Sequence, residues 1–74
     1  MIKDLDTVAL THDIPEHGLR QGDLGAIVFV WRDDEVFEVE FVSLTGDTIT
    51  LTTLKAADLR PIGTREIAHA RVIA

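Results

Sequence analysis

Leu10–Gly22 (LTHDIPEHGLRQG) runs through Asp23-Leu24-Gly25 directly into the apolar run Ala26–Trp31 (AIVFVW). Pro15 presets its own φ, and Gly18 can take the positive φ that other residues avoid, so Ile14–Leu19 reads as a fixed bend. Ile14 and Leu19 would plug that bend onto a core. Gly22 and Gly25 bracket Asp23-Leu24 and permit a tight diverging turn into the next strand. In Ala26–Trp31 both alternating sets, Ala26/Val28/Val30 and Ile27/Phe29/Trp31, are apolar, which predicts a strand covered on both faces. A long structured loop feeding a buried strand is how a small closed β-barrel begins.

Outward from this stretch the strands follow in turn. Thr7–Leu10 is short and β-branched at half its positions, with Val8 and Leu10 on one face. Beyond the polar turn Arg32–Glu35, Phe37, Val39 and Phe41 alternate with Glu38 and Glu40, placing the first set inside and the glutamates in water or against something basic. Thr45-Gly46-Asp47 supplies a hairpin turn. Thr48–Leu54 alternates Ile49 and Leu51 with threonines and slips at Thr53-Leu54, where a bulge or a strand end is expected. Lys55–Leu59 is too short for a lasting helix and reads as one tight turn. Pro61, lacking an amide donor, suits an edge strand. The expectation is all-β: a small five-stranded SH3-like barrel over residues 1–62, with a long first loop, one short 3-10 turn before the last strand, and a C-terminal tail over residues 63–74. In that tail, Thr64–Ala74 fits a strand, a short helix or a frayed end, and Arg71–Ala74 could add to a barrel edge.

Seventy-four residues make one domain, and a chain of this size buries only about 60% of the surface its unfolded form exposes. It contains no cysteine, so neither disulfides nor thiolate-bound zinc can support it. The start Met1-Ile2-Lys3-Asp4 has no apolar stretch behind it, and no segment approaches the roughly 20 apolar residues that cross a bilayer. The expected location is the cytoplasm.

Charge is unevenly placed. Thirteen acidic against seven basic residues give −6, and six carboxylates (Asp33, Asp34, Glu35, Glu38, Glu40, Asp47) fall between positions 33 and 47 with no Lys or Arg among them. Such a field steers a basic partner and repels phosphate. Trp31, beside this hairpin, reads either as a plug of the barrel, the more ordinary place for a large aromatic, or as an exposed binding residue.

Asp4–Val8 (DLDTV), His12–Leu19 (HDIPEHGL), Gly22–Gly25 (GDLG), Phe37–Phe41 (FEVEF) and Ala57–Pro61 (ADLRP) resemble a family of short bacterial proteins known as domain of unknown function 4926. The resemblance spans about residues 2–62. It implies an SH3-like barrel without established catalytic residues, and suggests an antitoxin or immunity role.

Other chemistries are less well supported. His12, Asp13, Glu16 and His17 carry zinc-type donors, but such a loop is more ordinarily solvated turn chemistry, and the third histidine, His69, is distant; no metal or other cofactor is expected. Glu38 and Glu40 on an outer strand face have nothing to raise a pKa for acid–base work, and there is neither a nucleophile elbow nor a glycine-rich phosphate loop. Leu19–Val28 also has the look of RNA-contacting KOW-type barrels, yet residues 1–62 hold only Lys3, Arg20, Arg32, Lys55 and Arg60 against twelve carboxylates, so nucleic acid is not expected. The expectation is a non-enzymatic protein-interaction module whose Trp31, Asp33, Asp34, Glu35, Glu38, Glu40 and Asp47 meet a basic partner protein. The alternatives are a barrel that self-associates into a homo-oligomer and a KOW-like RNA or ribosome-associated binder; no membrane partner is expected.

Overall fold

A computed structural model describes residues 2–73. Five antiparallel strands form one sheet: β1 (Thr7–Leu10), β2 (Leu24–Arg32), β3 (Val36–Val42), β4 (Thr48–Lys55) and β5 (Leu59–Pro61), in the spatial order β4-β3-β2-β1-β5. Two 3-10 turns punctuate it, Pro15–His17 in the first loop and Ala56–Asp58 between β4 and β5. The five strands and the 3-10 turn before β5 are those of the expected SH3-like barrel.

Sheet and turns wrap one apolar core. Val8, Leu10, Ile27, Phe37, Val39, Phe41, Leu54 and Leu59 are buried in it, and Ile14 and Leu19 plug it from the first loop. Those two residues exchange both backbone hydrogen bonds, Ile14 N–H to Leu19 O at 2.9 Å and Leu19 N–H to Ile14 O at 3.1 Å, closing the bend around Pro15–His17. Gly18 ends that turn at φ 68°. Among the described residues β4 and β5 form no ladder, and the second 3-10 turn joins the two ends of the sheet. Ala56 N–H donates to Glu35 O at 2.9 Å on one side, while Thr11 N–H donates to Asp58 O at 2.9 Å and the Thr11 hydroxyl to Ala57 O at 2.8 Å on the other.

Three expectations are corrected. Of the bulge or strand end expected at Thr53-Leu54, the strand end is found just beyond, at Lys55, and the bulge lies instead near the start of β4, where Phe41 faces Thr50 but Val42 faces Thr48, leaving Ile49 unpaired. Opposed residues share a face, so the pairing of Leu54 with buried Phe37 turns Thr50 and Thr52 inward and Leu51 outward. Second, β2 is covered on one face only, because a single sheet has no second layer to cover the other. Its register shifts twice against β3, between Ile27 and Phe29 and between Val30 and Arg32. Phe29 and Trp31 emerge on the outside, and Trp31, 62% exposed, is not a plug. Third, the tail is neither strand nor helix through residue 73, so Arg71–Ile73 pairs with no edge of its own sheet; Ala74 lies outside the described residues.

Gly25 shows how tightly β2 crosses the core. A Cβ built there would lie 2.7 Å from Val39 Cγ1 and 2.8 Å from Phe41 Cε1, so only glycine lets these two side chains cross beneath the strand.

Candidate functional site

Two surfaces carry side-chain chemistry, the outer face of β2-β3-β4 and the first loop. On the outer face the rings of Phe29 and Trp31 meet edge-on, with centroids 4.6 Å apart and planes at 65°. Phe29 is 51% exposed and Leu51, on β4, 56%. Glu38 lies opposite both Phe29 and Thr53, and Glu40 lies opposite Leu51. The glutamates are only half in water. Glu38 Oε1 accepts from Trp31 Nε1 at 3.1 Å and from the Thr53 hydroxyl at 2.5 Å, and Glu40 Oε2 accepts from the Thr48 hydroxyl at 2.7 Å. These bonds fix the rotamers of Trp31, Glu38 and Glu40, leaving an ordered apolar patch with carboxylates set into it.

The remaining acidic residues fall into two groups. Asp33, Asp34 and Glu35 make the β2–β3 turn at one end of the hairpin, with Asp34 at φ 61° and Glu35 within 4.0 Å of Arg32. Asp47 closes the opposite, β3–β4 turn, its N–H on the Ser43 hydroxyl at 3.1 Å. The six carboxylates therefore line the whole length of the hairpin, and only Glu38 and Glu40 are hydrogen-bonded within the apolar patch.

In the first loop the histidines point away from one another. His12 Nε2 lies 2.6 Å from Asp58 Oδ1 and its Nδ1 lies 2.8 Å from Asp13 O, tying the loop to the second 3-10 turn. Both ring nitrogens face acceptors, an arrangement satisfied only by the doubly protonated ring. The Asp58 hydrogen bond, then the Asp13 carbonyl, raise the His12 pKa above its ordinary value. His17 Nε2 sits 3.4 Å from the Thr52 hydroxyl. Among the described residues no group of three or more His, Asp or Glu converges as metal ligands do.

The tail returns to this loop. Arg71 donates from Nε to Asp23 Oδ1 at 2.8 Å, and from Nη2 to Asp23 Oδ2 at 2.5 Å and Gly18 O at 2.9 Å. This hydrogen-bonded guanidinium holds the Asp23 carboxyl below its usual range. Nearer the sheet, Arg60 makes two hydrogen bonds to Glu66, at 2.8 and 2.7 Å, and Gly63 N–H adds a third at 2.6 Å, bringing Glu66 down to about 2. Composition and period gave no sign of the Arg71–Asp23 contact, because it joins residues 48 apart through irregular backbone. The outer patch did leave a signal: a run apolar at every position in a chain with one sheet.

The family model described as Domain of unknown function (DUF4926) matches residues 4–61. The chain belongs to that family. No curated protein and no solved structure gives a significant match.

Proposed function

We propose that this member of the family is a non-enzymatic protein-interaction module, and that the outer face of β2-β3-β4 binds a basic partner protein in the manner of an antitoxin or immunity protein. What supports the reading is one observation: an exposed Phe29–Trp31 pair with its indole N–H held by Glu38, on a sheet face left open among the described residues. Aromatic anchors ringed by fixed polar groups are the usual centre of a protein interface. Glu38, Glu40 and the turn acids Asp33, Asp34 and Glu35 select for Lys and Arg on the partner, and Asp47 extends that field to the far end of the hairpin. A surface that ordinarily meets nucleic acid phosphate has the complementary charge, so masking such a surface is the form of antitoxin action this face suits.

Catalysis has less to rest on. Glu38 and Glu40 are committed to Trp31, Thr53 and Thr48 rather than aimed into a cleft. Self-association through the same patch is the second reading, favoured by the exposure of Phe29, Trp31 and Leu51. A two-fold contact would set Glu38 and Glu40 against their own copies, which disfavours it at neutral pH.

The test compares tagged wild type with Glu38→Lys/Glu40→Lys and with Phe29→Ser/Trp31→Ser in a pull-down from the source cell. The reading requires a basic protein that both variants lose, and that shifts Trp31 emission to the blue when the purified pair is mixed. A partner retained equally by both variants would overturn it.

A further inference from the structure

We infer that the first loop is a guanidinium socket, occupied in this chain by Arg71, that recognises an arginine-bearing segment of a partner protein. The receiving side is built without the tail. Asp23 is aimed by its own loop: Arg20 N–H donates to its Oδ2 at 2.8 Å, its N–H donates to Arg20 O at 3.0 Å, and its carbonyl accepts from Leu10 N–H at 3.0 Å. Gly18, left-handed at the end of the 3-10 turn, presents its carbonyl to the same guanidinium. Asp13, fixed by Gln21 N–H at 2.8 Å, stands by as a second carboxylate. One carboxylate accepting two parallel N–H bonds, with a carbonyl for a third, matches the planar fork of arginine and not the point charge of lysine.

The segment that carries the occupant is little buried by comparison. Residues 62–73 contain no regular structure, and Ile67 and Val72 are each 91% exposed, so the tail is kept in place by side-chain anchors rather than by burial. Around the guanidinium lies an open cleft of about 330 Å³, with Pro15 and Leu19 on the loop side and Val72 and Ile73 on the tail side. An arginine followed by apolar residues is thus the segment that fits. Asp13, Gly18 and Asp23 lie within the stretch matched by the family model, and Arg71 lies outside it. The socket is part of the domain; its present occupant is an appended strap, which a partner's arginine must displace.

The test uses full-length Arg71→Ala protein and a capped synthetic peptide of residues Ile67–Ile73. Removing the side chain should move the backbone amide resonances of Gly18 and Asp23 while leaving those of Val8, Ile27, Phe37 and Val39 in place, since none of these core residues lines the cleft around Arg71. Adding the peptide should return the two signals saturably towards their wild-type positions. The same peptide with alanine for arginine should not, nor should any peptide act once Asp23→Asn is added. Wild type should take the peptide more weakly, by a factor of about one plus the ratio of the tethered arginine's effective concentration, of the order of millimolar, to the dissociation constant of the peptide from Arg71→Ala. Arg71→Lys, which keeps the charge and loses the fork, should move Gly18 as Arg71→Ala does. Equal action by the alanine peptide, equal binding by wild type, or no saturable shift at several millimolar peptide would overturn the inference.

Discussion

Single residues set both the tightest packing and the pH response of this fold. Gly25 is the packing case. Gly25→Ala would thrust a methyl to 2.7 Å from Val39 Cγ1 and 2.8 Å from Phe41 Cε1, both fully or nearly buried, and overpacking of this kind costs about 1–3 kcal/mol. Urea unfolding should show that loss, and an unchanged midpoint would mean that the Val39 and Phe41 side chains do not pack against Gly25 as described. His12 is the pH case. Its pKa is raised in the fold, so the stability it contributes is present in full below the unfolded value near 6.5 and is lost as pH rises through the folded value. The Asp58 pKa is lowered by the hydrogen bonds from His12 and Lys55, which outweigh its desolvation, so that contribution is present above the ordinary carboxylate value and is lost as pH falls through the depressed one. The clamp is therefore strongest in mildly acidic solution. The urea midpoint of wild type minus that of His12→Asn should be positive near pH 5.5 and shrink by pH 8; a constant difference would show that the imidazolium does not hold the first loop to the second 3-10 turn.

At the scale of elements, the strands were legible wherever burial imposes a period. Phe37, Val39 and Phe41 alternate with acids in sequence and are buried in space, and Ile14 and Leu19 announce themselves as plugs because an apolar pair flanks a Pro–Gly bend. The alternation in β4 leaves its inward face open, because threonine satisfies either face of a sheet; the pairing of Leu54 with Phe37, not local pattern, decides which way Leu51 points. Likewise an all-apolar β2 says that both faces shun water, without saying whether the second cover comes from the same chain. The tail contacts were invisible, since an ion pair across irregular backbone leaves no periodicity. Trp31 tests the exposed face directly, being the only tryptophan in the chain. Its emission should be that of a solvated indole, and at low ionic strength caesium should quench it more strongly than iodide, because the Glu38 carboxylate is hydrogen-bonded to the ring. Quenching by iodide as strong as by caesium would place the ring outside the acidic field.

For the whole molecule, charge and apolar surface oppose one another, and pH sets which prevails. At neutral pH the chain carries −6, and copies approaching through β2-β3-β4 bring Glu38 and Glu40 together before Phe29, Trp31 and Leu51 can be buried. Near the sequence isoelectric point of about 4.7 the net repulsion vanishes while the apolar patch is unchanged. The patch should then pair with itself: light scattering should give a monomer at pH 7.5 and a rising mass on approach to pH 4.7. Phe29→Ser/Trp31→Ser removes the two aromatics without touching the core, so it should remain monomeric at both pH values and unfold at nearly the wild-type urea concentration, as exposed substitutions do. Its association on the same curve as wild type would move the adhesive surface elsewhere, and a wild type still monomeric at pH 4.7 would show that this face does not close on a second copy even when its charge is gone.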